Sequence, residues 1–185
     1  MSQADAPFIH PHATVMGDVR LGRQCSVWPG AVVRGDMNRI ELGDYVNIQD
    51  NATLHVDSDR ALTIGAYSLV GHRAVAHGCS VGRACLLGIG SIVLDGAQIG
   101  DGAIITAGCI IRGASRIPPM SLVIQRDGKL EILEGKAKPI RVVAGCLQYA
   151  ELARRTLRGE YGPFSARETS AFRAEAEAIV SRLFE

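Results

Sequence analysis

The sequence predicts a mainly β protein, a solenoid of short stacked parallel strands that ends in a helical segment. Three observations carry this. Large aliphatic residues recur at a six-residue interval from Ile9 to Ile111, with three irregular intervals. Glycine is frequent, at 21 of 185 residues, whereas aromatic residues make up 5%. Beyond Pro139 the six-residue spacing gives way to a helical pattern of apolar residues.

The repeat opens with Ile9, Val15, Leu21, Val27 and Val33. It resumes at Leu42, Ile48 and Leu54, again at Ile64, Val70 and Ala76, and finally runs from Val81 to Ile111. A helix repeats its apolar face every ~3.6 residues and a plain strand every second residue, so neither accounts for a period of six. Short strands joined by tight corners do, because each corner returns an aliphatic side chain to one central axis. Glycine often follows the aliphatic residue, as at Gly22, Gly43, Gly65 and Gly82. A small residue often stands two places before it, as at Cys25, Ala31, Ala74, Cys85 and Cys109. The cysteines at these positions read as core packing. After Ile111 the repeat is expected to stop, with 117–123 as an extended exit.

The rest of the chain reads as an appendage on that solenoid. Asp127–Gly128 is a two-residue hairpin signal between apolar alternations. A helix is expected from Pro139 to about Arg158, and Gly159 to Pro163 breaks it. Ser165 and Glu168 form a capping-box pattern that opens a second helix, with Phe172, Ala176, Ile179, Val180 and Leu183 on one side. The expected organisation is a six-residue-repeat domain over 8–123 and a hairpin with two helices over 124–185, packed on the solenoid.

Composition narrows the function. The formal net charge is +1 with both signs scattered, which argues against nucleic-acid and anionic-lipid partners. No apolar run approaches the ~18 residues of a membrane helix, and residues 1–7 carry no apolar signal region. Five cysteines without a CxxC pair argue against a disulfide framework and a zinc ribbon. A cytoplasmic setting is expected.

Counting the repeat places the polar residues. Three intervals make one coil, and coils stack at about 4.8 Å. Val33, Leu54 and Ala76 therefore lie in one column, and the residues after them, Arg34, His55 and His77, stack outward on adjacent rungs. Two imidazoles so placed are close enough to share a metal ion at bond lengths of ~2.0–2.1 Å. His72 follows Val70 by two, as Asp50 follows Ile48 by two, so these two form a second column on the preceding face, with Gln49 beside it. A corner separates the columns, so His72 is expected to complete the site from a neighbouring copy, as in a closed trimer. Arg34 of one copy would then meet Asp50 of the next. The three irregular intervals, after Val33, Leu54 and Ala76, all fall on the Arg34/His55/His77 face. Insertions clustered on one side of a solenoid mark its binding side. His10 and His12, beside Pro11, read as surface residues.

These motifs, namely Val33–Arg34–Gly35–Asp36, Asn47–Ile48–Gln49–Asp50–Asn51, His55, Gly71–His72 and Ala76–His77–Gly78–Cys79, resemble the γ-class carbonic anhydrase-like branch of the hexapeptide-repeat family. The resemblance covers roughly residues 8–123. It implies a left-handed parallel β-helix, although parallel crossovers are in general right-handed. It implies a homotrimer in which His55 and His77 of one copy and His72 of the next hold Zn²⁺, Fe²⁺ or Co²⁺. Gln49 is implied to orient the bound water or hydroxide, and Arg34 and Asp36 to support the site, with Arg34 paired to Asp50 across the interface. The implied reaction is reversible hydration of CO₂ to bicarbonate by a metal-bound hydroxide.

The chain departs from the branch in three places. Met37–Asn38 and the short Val56–Asp57–Ser58–Asp59–Arg60 segment stand where the branch prototype has a long acidic loop. Glu134–Gly135–Lys136–Ala137–Lys138–Pro139 follows an inserted hairpin, and the tail is longer. Two other functions compete: a CoA-thioester hydrolase or acyltransferase of the hexapeptide family, and a catalytically silent assembly subunit that docks through its helices.

Overall fold

The computed structural model describes residues 5–185. Among them, eighteen short strands precede two helices. The six-residue spacing becomes three faces, each a parallel ladder. On the first face Val27, Ile48, Val70, Leu87, Ile105 and Val123 pair in succession. On the second the series is Val15, Val33, Leu54, Ala76, Val93 and Ile111. On the third it is Leu21, Leu42, Ile64, Val81, Ile99 and Ile117. From Val27 onward these side chains join one buried core with the small residues at Cys25, Ala31, Ala52, Ala74, Cys85 and Cys109. Burying each large aliphatic side chain contributes roughly 1.5–3 kcal/mol.

Corners are made by residues at positive φ, stacked in columns. Gln24, Tyr45, Tyr67, Ala84 and Met120 occupy one such column, at φ between 54° and 59°. Here the geometry of the turn overrides the steric preference of ordinary side chains.

Ile9 departs from the expected pattern. It pairs with Val27 yet is 44% exposed, because the first rung is covered from one side only. Its neighbour Phe8 turns outward from the ladder and packs with Trp28, Ala153, Tyr149 and Leu152 under the first helix.

The repeat also runs further than the sequence reading, to Ile117 and Val123. Pro118 and Pro119 obscure it. In lower coils the residue after the aliphatic donates its N–H to the coil above, as Gly82 does to Ile99 and Gly100 to Ile117. On the last rung of the third face no coil lies above, so Pro118 loses nothing by lacking that N–H.

The second and third faces form one ten-stranded sheet, because the strand Val32–Leu42 continues around the corner between them. The first face forms an eight-stranded sheet whose last strand, Lys129–Leu133, runs antiparallel to Leu122–Arg126. The turn between them is the Asp127–Gly128 pair, with φ of 49° and 74°, so the expected hairpin forms. Leu122–Arg126 thus belongs both to the last coil and to the hairpin. Leu130 of the hairpin packs on the solenoid core, and Gln125 Oε1 accepts a hydrogen bond of 3.0 Å from the Ile110 N–H at the top of the second face.

The helices are α1, Ile140–Leu157, and α2, Ala166–Phe184. α2 opens with the expected capping box between Ser165 and Glu168. α1 lies on the first face. Val143 and Leu147 of α1 meet Ala176 and Ile179 of α2 over Ala84, Tyr45 and Tyr67. Among the described residues, no helix is long and apolar enough to cross a membrane.

Candidate metal centre

The second face brings Arg34, His55 and His77 side by side. Arg34 pairs in register with His55, and His55 with His77. This is the column obtained by counting. The alternation of the strand turns Leu54 and Ala76 into the core, fully buried, and the two imidazoles outward. The rings stand 4.9 Å apart at 60°, and His55 Nδ1 lies 2.9 Å from His77 Nε2.

Carboxylates hold the far nitrogens. His55 Nε2 is 3.0 Å from Asp36 Oδ1, and Arg34 Nη1 donates to the other oxygen of Asp36. Partial loss of solvent pushes the Asp36 carboxyl up, but the hydrogen bonds from Arg34 and His55 outweigh this and hold it below the usual range. Asp36 stands in the interval from Val33 to Leu42, which is three residues longer than the six-residue spacing. His77 Nδ1 is 2.6 Å from Asp95 Oδ1. Asp95 escaped the sequence reading. It stands one coil above His77, two places after Val93, whereas the column count arrives at Leu94 and passes over it.

The first face carries the second set. His72 Nδ1 lies 3.0 Å from Asp50 Oδ2, one rung apart as expected. The buried Gln49 accepts a hydrogen bond of 3.1 Å from the His72 backbone N–H through Oε1. Gln49 also lies beside Tyr149 of α1. Burial and the charge of Asp50 raise the Tyr149 phenol, and Gln49 partly offsets them. Helical periodicity marks Tyr149 only as a residue of α1, so its contact with Gln49 was not legible in the sequence.

The predicted residues therefore fall into two sets. Arg34, Asp36, His55 and His77 meet on the second face, whereas Gln49, Asp50 and His72 meet on the first. Within one chain Arg34 pairs with Asp36 and Asp50 with His72. Among the described residues, no three His, Cys, Asp or Glu side chains converge to hold a metal ion.

The donor set fits half of a metal centre. Two nitrogens bound tetrahedrally at ~2.0–2.1 Å lie roughly 3.3 Å apart, and the facing nitrogens of His55 and His77 are within half an ångström of that. Their side chains are 15% and 28% exposed, against 40% for His72, which faces outward beyond the corner.

The bacterial transferase hexapeptide (six repeats) family matches residues 78–113. The chain is 44% identical over 143 residues to a probable carbonic anhydrase of Methanocaldococcus jannaschii, a match that takes in 76% of this chain and 89% of that one. It is 44% identical over 80 residues to gamma carbonic anhydrase 1, mitochondrial, of Arabidopsis thaliana, covering 40% of this chain and 29% of that protein. The chain thus matches less than a third of the length of this plant relative. Among solved structures, a putative acetyltransferase of Bacillus cereus superposes with a TM-score of 0.71 at 34% identity, over 82% of this chain and 92% of that one. With the stacked coils, the paired imidazoles of the second face and a full-length relative at this identity, the chain belongs to the γ-class carbonic anhydrase-like branch of the hexapeptide-repeat, parallel β-helix proteins.

Proposed function

We propose that the protein catalyses reversible hydration of CO₂ to bicarbonate at a metal centre shared between copies of the chain. The observation that carries this reading is the facing of His55 Nδ1 and His77 Nε2 at 2.9 Å. His55 and His77 supply two ligands and His72 of a neighbouring copy the third. A divalent ion such as Zn²⁺, Fe²⁺ or Co²⁺ held there supplies Lewis acidity that makes water nucleophilic near neutral pH. Asp36 holds His55 in place, and Arg34 holds Asp36. Gln49, tied to the His72 backbone, orients the attacking water, with Tyr149 of α1 beside it.

A homotrimer satisfies this arrangement, each copy lending its second face to the first-face corner of the next. Exposed apolar side chains support such packing. Ile110, 43% exposed, stands in register with Ile92 and Val75 on the outside of the second face, and Ile89, 57% exposed, lies at the corner beyond His72. In the trimer Arg34, while holding Asp36, would also meet Asp50 of the neighbour. Five free, buried cysteines suit a reducing, cytoplasmic setting.

The test is stopped-flow CO₂ hydration by protein purified without oxygen and loaded with Zn²⁺, Fe²⁺ or Co²⁺, together with metal content and oligomer mass. The expected result is one metal per chain in a trimer, with activity lost in His77→Ala. A metal-free monomer would overturn the site. A loaded trimer that leaves CO₂ untouched but turns over acyl-CoA would move the function to thioester chemistry, the reading favoured by the acetyltransferase-like solved structure.

A further inference from the structure

We propose that Asp95 is a positioning residue of this centre, fixing the tautomer of His77 so that a bare Nε2 points at His55. The inference rests on the metal-site reading above. A neutral imidazole carries one N–H and one lone pair, and a partner on one nitrogen decides which is which. The Asp95 carboxylate accepts and does not donate, so at 2.6 Å it holds the proton on His77 Nδ1. Asp36, at 3.0 Å, does the same for His55 Nε2. Between two neutral rings the alternative is an N–H···N bond, which would strip one far nitrogen of its proton and leave a lone pair against a carboxylate. With both carboxylates in place, two lone pairs face one gap, which is the arrangement a metal ion takes.

Other corner aspartates show what a purely structural role looks like in this chain. Asp44 Oδ1 accepts the Arg23 backbone N–H and Asp101 Oδ1 that of Arg83, each at 2.8 Å, while Oδ2 takes the guanidinium. Asp95 Oδ1 instead meets an imidazole. The chain makes room for it. The interval from Ala76 to Val81 is one residue short, and Gly78 within it sits at φ +46°. A Cβ there would come 2.5 Å from Asp95 Oδ1. Backbone bonds from Gly96 N to Gly78 O and from Ala114 N to Asp95 O, at 2.8 and 2.9 Å, hold the Asp95 turn over His77.

The experiment compares wild type, Asp95→Ala and Asp95→Asn by ¹⁵N NMR of the metal-free protein and by Co²⁺ and Zn²⁺ titration. Expected in wild type is the Nδ1–H tautomer of His77, shifting towards Nε2–H in Asp95→Ala. Metal affinity in Asp95→Ala should fall about 10- to 100-fold, with partial recovery in Asp95→Asn, whose amide oxygen still accepts. An unchanged His77 tautomer in Asp95→Ala overturns the proposal. So does an unchanged tautomer with lost affinity, which marks a merely structural role. If wild type binds no metal, the metal reading fails, while the tautomer comparison still decides the part played by Asp95.

Discussion

His72 Nδ1 lies 3.0 Å from Asp50 Oδ2, one rung apart on the first face, across a corner from His55 and His77. A site completed between copies follows only if that corner belongs to a neighbour. His72→Ala and His77→Ala chains should each fail to bind metal alone. Unfolded together and refolded as mixed trimers, they should recover roughly a quarter of the wild-type sites, since a quarter of random junctions join an intact second face to an intact His72. Metal content per chain reads the result, and zero recovery would place all three histidines in one chain.

The buried thiols give a pH dependence of stability. Burial pushes Cys25, Cys79 and Cys85 up to about 12 from the ordinary 9.0, and Cys146 is raised as well. A folded-state pKa above the unfolded one means that the neutral thiol contributes stability fully below the unfolded value. That contribution is lost as pH rises through the folded values. Urea midpoints should therefore be flat up to about pH 9 and fall between about 9 and about 12. Near pH 8 a thiol reagent should find none of the five cysteines in the native protein and all of them in urea.

Ala114 is exposed and sits at φ +59° on the corner after the second face. An L side chain in this region costs about 1–2 kcal/mol, and glycine gives back part of the gain through its freer unfolded chain. Ala114→Gly should stabilise the protein by about 0.5–1 kcal/mol, measured as a higher urea midpoint at unchanged slope. A destabilised variant would show that the corner carries no strain.

Ser165 accepts the Glu168 N–H, and the Glu168 carboxylate returns to the Ser165 N–H at 2.8 Å while also pairing with Arg155 of α1. Ser165→Ala should cost about 1 kcal/mol. Hydrogen exchange should show the loss as faster opening of the first turn of α2, with the solenoid amides unchanged. Loosening that reaches the coils would mean that the cap also holds α1 in place.

The fold was legible because a parallel coil repeats one local decision at every rung, and an aliphatic residue at each sixth place records it. Even the irregular intervals can be counted through, so that Arg34, His55 and His77 fall into one column from the spacing alone. Contacts that leave the ladder were harder. Asp95 reaches His77 from a turn one coil up, and Tyr149 stands a hundred residues along the chain from Gln49. The repeat beyond Ile111 was hidden at Pro118–Pro119, because proline is unwelcome in a sheet interior and harmless on a last rung.

A parallel solenoid offers its top coil as a template on which another chain can add. Here each of the three edges is interrupted in its own way. The first face is covered by the returning strand Lys129–Leu133, the second has the Ile110 N–H occupied by Gln125, and the third ends in Pro118, which has no hydrogen to give. End-on growth into fibres is disfavoured at this pole.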